Sequence, residues 1–177
     1  MKHLREILKK KVVMKMLKIV NGDLLKSTED IIIHQCNAQG VMGSGVAKQI
    51  ATLYPEVEKE YKEFISNCSK TDRNPLGTSC YVMVKNKYNN KEQCVANIIG
   101  QFNYGRDGRR YTDYRALFTG ILDALRLAEN NNVNIALPYK IGCFRGGGDW
   151  DNIVYPFLQI VSEDFNGDIV IYRLDRN

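Results

Sequence analysis

Short β-branched runs alternate with longer segments of helical period along nearly the whole chain, and few architectures accept that alternation. Residues 17–21 (LKIVN), 30–37 (DIIIHQCN), 78–85 (TSCYVMVK), 93–102 (QCVANIIGQF), 133–138 (VNIALP) and 168–174 (DIVIYRL) read as strands. The run at 30–37 is apolar on both faces, which suits a central strand. Helical spacing marks 43–55, 56–67, 112–131 and 150–165. The segment 112–131 is the strongest of these, with Leu117, Ile121, Leu125 and Ala128 on one stripe behind a Thr112 or Asp113 cap. Pro55 is expected just past the first helix, and Pro156 inside the last implies a kink or a late start. The polar turn NKYNNKE suggests a hairpin between 78–85 and 93–102. Strands alternating with helices imply an α/β fold, a three-layer α/β/α sandwich with a mixed, mainly parallel central sheet. The length of 177 residues suits one domain, expected over 17–177 behind a basic extension at 1–16.

Charge excludes one class of partner. Residues 1–18 hold seven Lys and Arg against Glu6, so the formal +5 of the chain is a tail of +6 on a remainder of −1. A groove that tracks nucleic acid spreads its cations over the domain, and none is expected here. Met14 and Met16 precede the first strand and are alternative starts, with the residues before them an upstream extension. No apolar run reaches the roughly 20 residues of a membrane span, and the tail lacks the core of an export signal. The five cysteines show no paired metal-ligand spacing, which argues against zinc and fits a reducing cytoplasm.

In an open sheet of this kind ligands sit beyond the carboxyl ends of the strands. Two of those ends carry glycine-rich sequence. After 30–37, Gly40, Gly43 and Gly45 lead into a helix, and backbone N–H groups without Cβ hindrance can close around a phosphate at a helix start. The spacing GxxGxG is neither the dinucleotide fingerprint nor a P-loop, so a tight structural turn explains this stretch equally well. After 133–138, Gly142, Gly146, Gly147 and Gly148 precede Trp150, whose role reads as core packing. Two such loops at neighbouring strand ends could hold a diphosphate from both sides.

IVNGDLL at the first strand, IIIHQCNAQGVMGSGVAKQI at the second, LPYKIGCFRGGGDWDNI after the fifth and the closing IVIYRL are similar, in order and spacing, to the macro domains over residues 17–174. That resemblance implies ADP-ribose or a derivative as the ligand, with ADP-ribosylated protein as a further partner, a monomeric state and no cofactor or metal. It places Asp23 against the adenine amine, Leu24 in the adenine pocket and Tyr172 beside the ring. Gly40, Val41, Met42, Gly43, Ser44, Gly45 and Val46 would hold the distal ribose and one phosphate. Ile141, Gly142, Cys143, Phe144, Arg145, Gly146 and Gly147 would hold the other, and Asn37 would face the distal ribose.

The wording resembles most the branch with ADP-ribose-1″-phosphate phosphatases and terminal ADP-ribose glycohydrolases. The glycohydrolases use a lysine after a strand like VANIIGQF, where this chain runs into Gln101 and Phe102, and an aspartate where it has Gly146, which counts against a lysine mechanism. The phosphatases carry a histidine that His34 matches. An unperturbed imidazole can donate a proton or activate water near neutrality, while a buried histidine tied to its neighbours is the other reading. Asp149 is a second candidate, as base or orienter, or as the cap of the following helix. Arg145, and Arg106, Arg109 and Arg110 in the flap 103–113, are available for phosphate or simply solvated. The expected activity is removal of the 1″-phosphate from ADP-ribose-1″-phosphate. The rivals are a non-catalytic ADP-ribose reader and a hydrolase of acyl- or protein-linked ADP-ribose. A flavodoxin-like or nicotinamide-dependent domain is more remote, because the glycine order is wrong.

Overall fold

A computed structural model of the protein describes residues 17–174, so the expectations for residues 1–16 and 175–177 lie outside the described residues. The strands are β1 (Leu17–Asn21), β2 (Ile31–Asn37), β3 (Ser79–Lys85), β4 (Glu92–Gln101), β5 (Ile135–Pro138) and β6 (Ile169–Arg173). They form one six-stranded sheet in the order β1-β6-β5-β2-β4-β3. Every pairing is parallel except β3 with β4, the hairpin. The helices are α1 (Gly45–Leu53), α2 (Pro55–Lys70), α3 (Tyr114–Asn131) and α4 (Tyr155–Asp164).

Helices cover both faces. Odd-numbered residues of β2, Ile31 and Ile33, pack with Ile98, Ile135, Leu137 and Ile171 under α3 and α4, through Leu117, Ile121, Leu125 and Leu158. The opposite face holds Cys36, Val82, Val95 and Ile99 under α1 and α2, through Ile50, Val57, Tyr61 and Ile65. Burial of both faces is why β2 reads as an unbroken apolar run. Gly120 lets α3 approach closely, since a Cβ there would stand 2.3 Å from Ile98 Cγ2.

Three local readings are refined. Asp113, and not Thr112, caps α3, its carboxylate accepting from Ala116 N at 3.0 Å. Only Tyr54 separates α1 from α2, so Pro55 opens the second helix at its first position, where a missing N–H costs nothing. The segment Trp150–Val154 forms a π-helical turn, closed by Val154 N donating to Asp149 O, and α4 then starts late with Pro156 in its first turn. A short 3-10 turn at Leu24–Lys26 was not anticipated.

Candidate functional site

The parallel strands deliver their carboxyl ends to one side of the sheet, and a cleft of about 930 Å³ runs across them. Its lining follows the strand order. Gly22, Asp23 and Leu24 stand after β1, Tyr172 and Arg173 at the end of β6, and Tyr139 to Gly142 after β5. The loop after β2 contributes Val41 and Gly43 to Val46, and the end of β4 contributes Gln101 with Tyr104 and Arg106 beyond it. Charged residues in the lining are Arg106, Lys140, Arg145 and Arg173 against the single carboxylate of Asp23. The cleft therefore favours an anion.

At the β1 end, Asp23 Oδ1 accepts from Leu25 N at 3.0 Å and fixes the 3-10 turn. Leu24 packs with Ile32, Ala136 and the ring of Tyr172. Tyr172 is steadied by its hydroxyl, which donates to Glu29 at 2.9 Å, and burial followed by that bond pushes its ionisation up to about 12. An apolar slot with a carboxylate at its rim suits a flat heteroaromatic ring with an amino group.

The loop after β2 is shaped by Asn37. Its Nδ2 donates to Val41 O at 2.7 Å, while its Oδ1 accepts from Gln39 N and from Tyr61 Oη. The Tyr61 hydroxyl also donates to the Asn37 carbonyl. These bonds turn the chain so that α1 begins at the cleft, with Gly45 in the left-handed region at φ 59°. Ser44 caps α1 without a side-chain bond, and the first N–H groups of a helix have no carbonyl one turn back to accept them.

The loop after β5 is fastened by a polar knot. Gln35 Nε2 donates to Gln101 Oε1 at 2.6 Å and to Thr112 Oγ1 at 2.9 Å. Thr112 Oγ1 in turn donates to Gly142 O at 2.6 Å, and Gly146 O accepts from Tyr111 N and Thr112 N. A Cβ on Gly142 would lie 2.5 Å from Gln35 Oε1, and one on Gly146 would lie 2.1 Å from Thr112 Oγ1. Gly142 also has φ 71°. Both glycines are dictated by how closely the loop is drawn down onto Gln35.

The residues expected from the sequence divide between the cleft and its surroundings. His34 lies in the floor of the cleft, with 1% exposure. Asn97 Nδ2 donates to Cys80 O, so its Oδ1 faces the imidazole and accepts from His34 Nε2 at 2.7 Å. Burial lowers the His34 pKa to about 4. Near neutral pH the ring is therefore uncharged, with Nε2 held by Asn97. Asn37 also lines the cleft, with its amide committed to positioning its own loop. Asp149 stands outside the cleft as the cap of the π turn, accepting from Asn152 N at 3.0 Å, and that bond lowers its pKa. Gly40, Met42, Cys143 and Gly147 also fall outside the lining. Gly40 backs onto Lys62, Met42 is 3% exposed in the core, and Gly147 abuts Arg109 O. Cys143 donates to Ile141 O, and burial pushes its thiol up to about 12. Arg109 pairs with Asp107, and Arg110 lies over the Tyr114 ring, so of the three flap arginines only Arg106 lines the cleft.

Gln35, Gln101, Tyr139, Lys140 and Arg173 were not singled out as ligand contacts. One signal was available, a glutamine inside the otherwise apolar IIIHQCN.

The family model described as "Macro domain" matches residues 33–155. The chain is 42% identical over 177 aligned residues to "ADP-ribose 1″-phosphate phosphatase" of Saccharomyces cerevisiae, covering 88% of this chain and 97% of that protein. It is 24% identical to "DNA ADP-ribosyl glycohydrolase" of Mycobacterium tuberculosis, across 86% of this chain and 40% of that protein. Among solved structures, "Thermosipho africanus DarTG in complex with ADP-ribose" shares the fold with a TM-score of 0.70 at 17% identity, over 92% of this chain and 43% of that one. With its mainly parallel sheet, its two glycine-bearing loops over one cleft and a matching model over most of its length, the chain belongs to the macro domain family.

Proposed function

We propose that the protein binds ADP-ribose in this cleft and hydrolyses ADP-ribose-1″-phosphate to ADP-ribose and inorganic phosphate. The observation that carries the reading is the order of groups along the cleft. An apolar slot with a carboxylate at its rim stands at β1 and β6, loops with backbone N–H groups follow at β5 and β2, and a further cation, Arg106, stands past β4. A ligand lying along that line has its diphosphate between the loops, where Gly43 to Val46 and Ile141 to Gly146 offer N–H groups and Arg145 a guanidinium. Arg106 then faces a phosphate on the terminal ribose. The name of the 42% identical relative supports the same reaction.

In the reaction, water attacks phosphorus and the bond from phosphorus to the ribose oxygen breaks. The hydroxyl goes to the phosphate and the remaining proton goes to the ribose oxygen. Charge growing on the phosphate oxygens is stabilised by prealigned donors, the largest contribution a site of this kind can make. A second reading, a non-catalytic reader of ADP-ribose, is favoured by one observation, the enclosure of His34.

The test measures phosphate release from ADP-ribose-1″-phosphate alongside calorimetric binding of ADP-ribose. Turnover that falls about 100-fold in Arg106→Ala, with ADP-ribose binding changed less than about threefold, supports the phosphatase. Binding without any phosphate release supports the reader and ends the catalytic claim.

A further inference from the structure

Two of the four cations in the cleft, Lys140 and Arg173, take no part in that scheme. Both converge on one side chain. Lys140 Nζ and Arg173 Cζ each lie 5.6 Å from the centroid of the Tyr139 ring. The backbone holds them at adjacent strand ends, because Tyr139 N donates to Tyr172 O at 2.8 Å and Gly22 N donates to Arg173 O at 2.9 Å. Arg173 is aimed further by its Nε, which donates to Asn21 Oδ1 at 3.0 Å. Neither cation forms an ion pair among the described residues.

Lys140 carries a second mark. Its φ is 60°, the left-handed region that suits glycine and is unfavourable for an L-residue with a Cβ. A chain with glycine at many nearby positions of this loop has a lysine at this strained one. Backbone strain retained beside a binding cleft is grounds for assigning the side chain a task.

The position of the pair along the cleft identifies the task. Adenine stands at β1 and β6 and the diphosphate at β5 and β2, so the adenosine ribose lies between them, over the ends of β6 and β5. That is where Lys140 and Arg173 stand. We infer that these two residues form a subsite for an additional phosphate on the adenosine ribose, so that the cleft takes ADP-ribose bearing a 2′-phosphate in preference to ADP-ribose itself. The inference rests on the ADP-ribose pose proposed above. Two cations with no ion pair among the described residues, one of them a guanidinium that can bond two phosphate oxygens, match a dianionic phosphate in charge and geometry. Tyr139 supplies the platform that keeps both side chains gathered.

The experiment is calorimetric titration of the full chain with ADP-ribose and with ADP-ribose 2′-phosphate, read as the ratio of the two dissociation constants. The wild-type protein is expected to bind the 2′-phosphate form about tenfold more tightly. In Lys140→Gly/Arg173→Gln, where glycine suits the backbone at 140, the ratio falls to about one. Arg173→Lys restores part of the preference by returning the charge. Titration with 2′,5′-ADP tests whether adenosine with its two phosphates is sufficient for the preference. Equal affinity of the wild type for both ligands, or a preference that survives the double substitution, overturns the inference while leaving the ADP-ribose reading intact. Failure of ADP-ribose itself to bind removes that reading, and this one with it.

Discussion

Gly142→Ala is expected to weaken ADP-ribose binding about 100-fold while the protein still folds. The methyl group meets two obstacles at once. The backbone at φ 71° is one that a residue with a Cβ adopts at a cost of roughly 1–2 kcal/mol. The new atom would also lie 2.5 Å from Gln35 Oε1 and 3.0 Å from Leu117 Cδ2. Gln35 has little room to yield, because its Nε2 is bonded to both Gln101 and Thr112, and overpacking of a tight site costs roughly 1–3 kcal/mol. The loop is the softer element and moves, taking with it the N–H groups of 141–146. A total near 3 kcal/mol is about two orders of magnitude in a dissociation constant and lies within the stability of an ordinary domain. Calorimetry with ADP-ribose, with thermal unfolding as the check on folding, measures this. An alanine variant that binds as the wild type does would show that the loop is not held by Gln35.

His34→Gln is expected to change the pH dependence of stability and to leave the chemistry in place. The imidazole titrates near 6.5 when unfolded and near 4 when buried, so between those values the unfolded chain binds the extra proton. Stability linked to His34 is complete above pH about 6.5 and is lost as the pH falls towards 4, a difference of about 3 kcal/mol. The half-exposed carboxyl of Asp30, raised by desolvation but lowered on balance by its bonds to Asn134 and Lys91, titrates below 3.8 and acts only at lower pH, which leaves the window to the histidine. Urea unfolding across that window is expected to show a slope in the wild type that the glutamine variant lacks. At neutral pH the variant is expected to release phosphate within about tenfold of the wild type. A histidine that moves the proton contributes 10²- to 10⁴-fold, so a loss of that size on a folded His34→Gln protein would return His34 to the reaction.

The architecture was legible because its signals are local and redundant. Each strand appears as a β-branched run and each helix as a stripe, and strand ends were placed within a residue or two. The cleft was legible through its glycines, since Gly45 and Gly142 stand in the loops beyond strand ends and both adopt the left-handed region. What sequence could not give was direction. His34 and Gln35 are neighbours in one strand and face opposite sides of the sheet, so the residue with the more suggestive chemistry is enclosed by Asn97 and the plainer glutamine reaches the floor. Asn37 and Asp149 similarly have polar atoms engaged by nearby backbone groups, Asn37 donating to Val41 O and accepting from Gln39 N, Asp149 accepting from Asn152 N, bonds that depend on the exact turn of the chain. Lys140 and Arg173 are 33 positions apart in sequence and meet only because β5 and β6 pair side by side. Such pairings are set by topology.

The most direct measurement is a titration of isotope-labelled protein with ADP-ribose, followed by backbone amide resonances. If the diphosphate sits between the two loops, the amides of Gly43 to Val46 and of Ile141 to Gly146 shift together and saturate with one dissociation constant, with Asp23 and Leu24 moving in step. Shifts confined to one loop, shifts clustered away from the strand ends, or no shifts at saturating ligand would contradict the account.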